Sequence, residues 1–167
     1  MTMGNFNAKI SAEFTPPKTW KLEKQLSFKT HLLTKDDIEI LKEIGVNIAD
    51  TGRITCDVGM KTDLASVPRA VWGIISPWDV ARAAVIHDHL YASLRSYYHS
   101  KNMNKKTWKK ARKLSDRIFL WGMQSAQPSV RKYKIYPAYW AVRTFGRWPA
   151  SDKNDWSIIF NISRHVF

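Results

Sequence analysis

The chain carries a single cysteine, Cys56, in 167 residues, which excludes an internal disulfide and a cysteine-rich zinc centre. Acidic residues are scarce too: 14 Asp and Glu stand against 27 Lys and Arg, a net charge of +13. Such a chain repels cations and attracts polyanions: nucleic acid, an anionic membrane face or an acidic protein. No apolar run reaches the roughly 18 residues that a bilayer span requires. Met1 to Lys9 lacks the apolar core of a secretory signal, so the expectation is a protein not secreted by a signal peptide, with any membrane contact peripheral. Repeats and low-complexity tracts are missing as well.

What is present is enough to fold. At 44% hydrophobic and 13% aromatic, the composition supports a real core without disulfides. The breaks suggest an N-terminal arm or edge segment over 1–20, one globular domain over 21–147, and a C-terminal tail over 148–167 beginning at Trp148-Pro149. Leu26, Phe28, Thr30 and Leu32 alternate as in a half-buried strand, and Ile54 to Val58 reads as another, between turns at Asp50 to Arg53 and at Gly59. Thr34 to Gly45 fits a short helix or a strand pair. The expected class is α+β: a small N-terminal antiparallel sheet, then a helical core whose two principal antiparallel helices carry a His/Asp pocket.

The first of these helices starts at Ser76-Pro77-Trp78-Asp79 and runs to near Arg95. Val80, Ala84, His87, Asp88 and Tyr91 share one face, and Ala83, Ile86, Leu90 and Leu94 form the adjoining apolar stripe. His87 and Asp88 therefore turn inward, where a charge needs a partner. The second helix, roughly Thr107 to Ser125, has Asp116 at the edge of its apolar face, flanked by Arg112 and Met123. If the two pack antiparallel, Asp116 reaches the His87 ring and fixes its tautomer, a base with its orienter. The competing reading is a satisfied structural network. A third helix, Val130 to Phe145, is expected to bend or restart at Pro137 and close at Gly146.

Between sheet and helices lies Thr62 to Trp72. Asp63 and Ser66 there make either a local capping turn or, in the case of Asp63, an oxygen ligand joining Asp88 on a hard divalent cation. Arg69 would hold an anion or balance Asp63. Lys105, Lys106, Lys109, Lys110 and Lys113 lie on the outward face of the second helix, suited to lipid or nucleic-acid phosphates, and Lys106, Lys109, Lys110 and Lys113 join Arg69 as the anion-binding candidates. Ser66 as a nucleophile has no elbow motif behind it, and a transition-metal site of His87, Asp88, Asp116 and Asp63 lacks an upstream histidine unless His31 reaches it. His89 and His99 read as surface residues.

His87-Asp88-His89-Leu90-Tyr91, followed by Ser115-Asp116-Arg117-Ile118-Phe119 and Met123, resembles the two-helix active site of the phospholipase A2 superfamily. That resemblance implies His87 as general base on a water, Asp116 as its orienting carboxylate, Tyr91 as a hydrogen-bond partner of that carboxylate, and Asp88 as a ligand of Ca2+, the first-choice cofactor. The Gly-rich calcium loop is reduced here to Gly59 and Gly73. A second pattern covers more chain: Gly59-Met60-Lys61-Thr62-Asp63-Leu64-Ala65-Ser66-Val67-Pro68-Arg69-Ala70-Val71-Trp72, then Ala83 to Tyr91, then Asp116 to Met123. It is similar to a family of tailed phages and prophages catalogued as domain of unknown function 1353, and departs from it at Met60 and Ser115. The resemblance implies a viral origin, with host cytoplasm or virion as the location.

Two functions follow as expectations. One is a metal-assisted hydrolase of an ester or phospholipid with His87 as base. The other is a non-catalytic phage virion or tail component, or a host-factor binder, in which the basic surface makes the contacts. The expected partner is an anionic surface or polymer, a phospholipid membrane or nucleic acid, with other phage virion proteins as a further candidate.

Overall fold

The structure, a computed structural model, describes residues 3–16, 19–62, 77–127, 129–147 and 149–151. Two three-stranded antiparallel sheets come first. One is ordered β1 (Asn5–Phe6), β4 (Leu26–Lys29), β5 (Arg53–Cys56), and the other β2 (Ala12–Thr15), β3 (Thr19–Leu22), β6 (Lys61–Thr62). Phe28 pairs with Phe6 on one side and Ile54 on the other, and its side chain is fully buried. The residues read as an arm or edge segment pair into both sheets as β1 and β2, with Pro16 in the turn after β2.

The segment left open between helix and strand pair is a helix, α1 (Lys35–Glu43). A capping box decides it: the Thr34 side chain accepts from the Asp37 N–H at 3.2 Å, and Asp37 Oδ2 accepts from the Thr34 N–H at 3.1 Å. Gly52 and Gly59 take φ of 75° and 85° in the turns expected there.

Three further helices follow: α2 (Pro77–Tyr98), α3 (Lys105–Gln124) and α4 (Lys132–Phe145). The Asn104 side chain caps α3 by accepting from the N–H groups of Lys106 and Thr107. α4 is one helix through Pro137, whose missing N–H leaves the Tyr133 carbonyl without its helical bond. α2 and α3 pack antiparallel, Ala83 meeting Gly122 and Tyr91 meeting Asp116. A Cβ on Gly122 would lie 2.9 Å from that of Ala83, so a larger residue would push the helices apart.

One core joins the sheets, α1, α2 and α3 around Leu26, Phe28, Leu41, Ile54, Ile86 and Leu94. A second, smaller cluster of Val80, Ala84, Phe119, Met123, Ile135, Ala138 and Val142 seats α4 against α2 and α3. Burying a side chain such as Phe119 stabilises the fold by about 1.5–3 kcal/mol and fixes where the polar residues beside it point.

Candidate active site

At the α2–α3–α4 junction, helical spacing places His87 and Tyr91 one turn apart on α2, facing Asp116 on α3. His87 Nε2 is 3.2 Å from Asp116 Oδ1, and the Tyr91 hydroxyl donates to the same oxygen at 2.7 Å. Arg143, from α4, donates through Nη1 to Asp116 Oδ2 at 2.5 Å. Asp116 is completely buried, with His87 2% and Tyr91 4% exposed. A buried carboxylate survives only when its charge is matched, and three donors match it here. The His87 ring lies 4.1 Å from that of Tyr91 and 4.8 Å from that of Phe119, so packing as well as hydrogen bonding sets its orientation.

Because Asp116 is paired with a guanidinium, it acts as an acceptor, and the hydrogen on the His87 side belongs to Nε2. Nδ1 is then the basic nitrogen. It is buried and has no hydrogen-bond partner among the described residues. Burial and the neighbouring Asp116 charge push the Tyr91 phenol well above its ordinary range, so it remains a donor.

The expected trio of His87, Asp116 and Tyr91 is thus brought together. Asp88, next along α2, turns to Thr62 on β6, whose hydroxyl donates to Asp88 Oδ2. Among the described residues no group of three or more His, Cys, Asp or Glu converges to hold a metal. Calcium takes about six to eight oxygens, and Asp88, the expected ligand on α2, contributes a single carboxylate that already accepts from Thr62. Its expected companion Asp63 lies outside the described residues, as do Ser66 and Arg69. His99 is exposed as expected, whereas His89 is half-buried, with Nε2 enclosed and without a partner among the described residues. Desolvation lowers the His89 pKa against a smaller opposing pull from Asp57.

Of the anion-binding candidates, Lys109 and Lys113 line a recess between α3 and α4, while Lys106 and Lys110 are exposed on α3 outside it. One residue of the site escapes the sequence reading, Arg143; Arg112, expected on the flank of Asp116, donates through Nη2 to the Arg143 carbonyl at 3.5 Å. The signal that places Arg143 is the apolar face Ile135, Ala138 and Val142, which docks α4 and leaves Arg143 on its flank. Gly146 also belongs here, for a Cβ on it would lie 2.2 Å from the Tyr91 hydroxyl.

Fold and site together define an α+β protein with a buried His–Asp–Tyr–Arg network across three helices. A family model described as Protein of unknown function (DUF1353) matches residues 38–142, more than half of the chain, and the protein belongs to that family. No curated protein and no solved structure matches the chain.

Proposed function

We propose that the protein is an ester hydrolase acting on phospholipid, with His87 as general base. The observation that carries this reading is the imidazole held at Nε2 by Asp116, with Nδ1 left without a partner among the described residues. His87 Nδ1 takes a proton from a water whose oxygen attacks the ester carbonyl carbon. As the tetrahedral adduct collapses, the ester C–O bond breaks and the imidazolium returns its proton to the leaving alkoxide. Asp116 stays ionised throughout, orienting the ring and stabilising its protonated form, while Tyr91 and Arg143 hold Asp116 in place. A divalent cation held by Asp88 and Asp63 belongs to the same proposal and would supply positive charge to the developing oxyanion; elemental analysis of the purified protein tests it. A phage or prophage origin, with host cytoplasm or virion as location, is likewise part of this proposal.

The deep burial of His87 and Asp116 favours a second reading, in which the network is structural and the protein is a virion or tail component, or a host-factor binder. Fatty-acid release from phosphatidylglycerol vesicles by the wild type and by His87→Gln separates the two. The hydrolase reading expects a loss of roughly 10²–10⁴-fold in the variant, with its circular dichroism unchanged. Absence of release by the wild type, or equal release by both, supports the structural reading instead.

A further inference from the structure

The α3–α4 recess encloses about 370 Å³ and is walled by Lys105, Lys109, Arg112, Lys113, Arg143 and Arg147. None of the described residues lining it is acidic. Like charges gathered in one concave site repel each other, so the arrangement favours a polyvalent anion that would bring them together. Arg112 carries the point furthest: Nη2 is used on the α4 backbone, whereas Nη1 is buried with no hydrogen-bond partner among the described residues. A guanidinium with an unused donor beside a second guanidinium matches the oxygens of a phosphate.

The surroundings point to the source of that phosphate. Tyr136, Trp140 and Arg143 are spaced four and three residues apart on α4, sharing one face, and Arg147 follows just past the helix end. Tyr136 is 43% and Trp140 62% exposed. A line of protruding aromatics that leads into a basic recess is the composition of a lipid-interface surface, rings at headgroup level and cations on the phosphates. Inside the recess Trp108 is 5% exposed and lies 5.4 Å from the Tyr98 ring, so it is committed to packing rather than to stacking a base.

We propose that the α3–α4 recess is a phosphate site that seats the headgroup of an anionic phospholipid, with Trp140 and Tyr136 entering the interface beside it. This goes beyond the proposed hydrolysis, since binding needs no turnover. Arg143 is shared: it lines the recess and its Nη1 holds Asp116, which links headgroup binding to the His87 network.

The test is sedimentation of the full chain with vesicles of ether-linked phosphatidylglycerol and phosphatidylcholine, which contain no carboxylic ester for the proposed reaction to cleave. Failure to bind is therefore distinct from failure to hydrolyse. The expected result is binding to the phosphatidylglycerol vesicles that Lys109→Gln with Arg147→Gln weakens roughly thirtyfold. Lys106→Gln with Lys110→Gln removes the same charge outside the recess and should weaken it far less. Trp140→Ser should reduce vesicle binding while leaving the response to inorganic phosphate, read as a thermal shift, unchanged. All four charge substitutions fall on exposed side chains, so folding should survive them. An equal loss for the two double variants overturns the proposal. So does an unchanged affinity in Trp140→Ser, which would leave a free-phosphate site, or binding of a single-stranded oligonucleotide without binding of vesicles.

Discussion

Arg143 Nη1 and Asp116 Oδ2 stand 2.5 Å apart, so the third helix of the core holds one oxygen of the carboxylate whose other oxygen meets His87 and Tyr91. The network therefore closes only when α4 is docked. Asp116 has no exposure of its own, and the guanidinium is its sole described cationic partner unless His87 is protonated.

Removing Arg143 should accordingly be costly. Arg143→Met leaves a carboxylate buried with a phenol and an imidazole, and breaking a buried pair from one side costs about 3–5 kcal/mol. The Arg143 side chain is 23% exposed, which places the expectation at the lower end of that range. Urea unfolding measures it; a midpoint equal to that of the wild type contradicts the pairing.

Gly146→Ala tests the same junction by size. The added Cβ would lie 2.2 Å from the Tyr91 hydroxyl and 2.3 Å from the Val142 carbonyl oxygen, and the backbone atom cannot swing aside. A loss of about 1–3 kcal/mol is expected. Tyr91→Phe in the Gly146→Ala background should cost less than in the wild type, because it removes the nearest clashing atom. Thermal melts of the four proteins give the coupling, and strict additivity would show that Gly146 does not press on Tyr91.

How far the sequence reaches is clear from these residues. His87 and Asp116 were legible because two long helices repeat at 3.6 residues and, if packed antiparallel, bring those positions together; Tyr91 shares the His87 face by the same period, while its bond to Asp116 was what the phospholipase A2 resemblance implied. Arg143 and Gly146 were not legible, because periodicity within α4 does not say which side of α2–α3 it docks on. Gly146 read simply as a helix end. The N-terminal segment, read as an arm or edge, carries no helix among its described residues, and Pro16 serves the turn out of β2, since proline disfavours helix but suits turns. α1 is nine residues, too short for period alone to separate it from strands, and its capping box decides the matter. His89 read as a surface residue, whereas it is half-buried on a helix that packs on several sides.

Stability should fall in alkaline solution. Burial raises the Cys56 thiol far above its ordinary value of 9.0, with smaller contributions from Asp88 and Asp57, and Tyr91 is raised above 10.0. The unfolded chain releases these protons first, so the native state binds more protons in that window and loses stability as pH rises. Their contribution is whole below about pH 9 and declines above it. Cys56→Ala should remove the earliest part of the decline in pH-dependent urea unfolding, and Tyr91→Phe the later part. Native Cys56 should also resist thiol reagents until the protein unfolds.

His89 works in the other direction. Its pKa is lowered by desolvation, so on acidification the unfolded chain takes up a proton before the native state does. That contribution is whole above the ordinary histidine value of 6.5 and is lost as pH falls below it. His89→Gln should flatten stability between about pH 6.5 and 5 relative to the wild type; parallel curves would show that His89 charges freely in the native state.

The state of the His87 ring bears most directly on the proposed base, and long-range ¹H–¹⁵N correlation of ¹⁵N-labelled protein at neutral pH reads it. The expected signature is a neutral imidazole protonated at Nε2, with Nδ1 unprotonated and able to accept a proton from water. A neutral ring protonated at Nδ1 would contradict the Nε2–H donation to Asp116 and remove the base from the site.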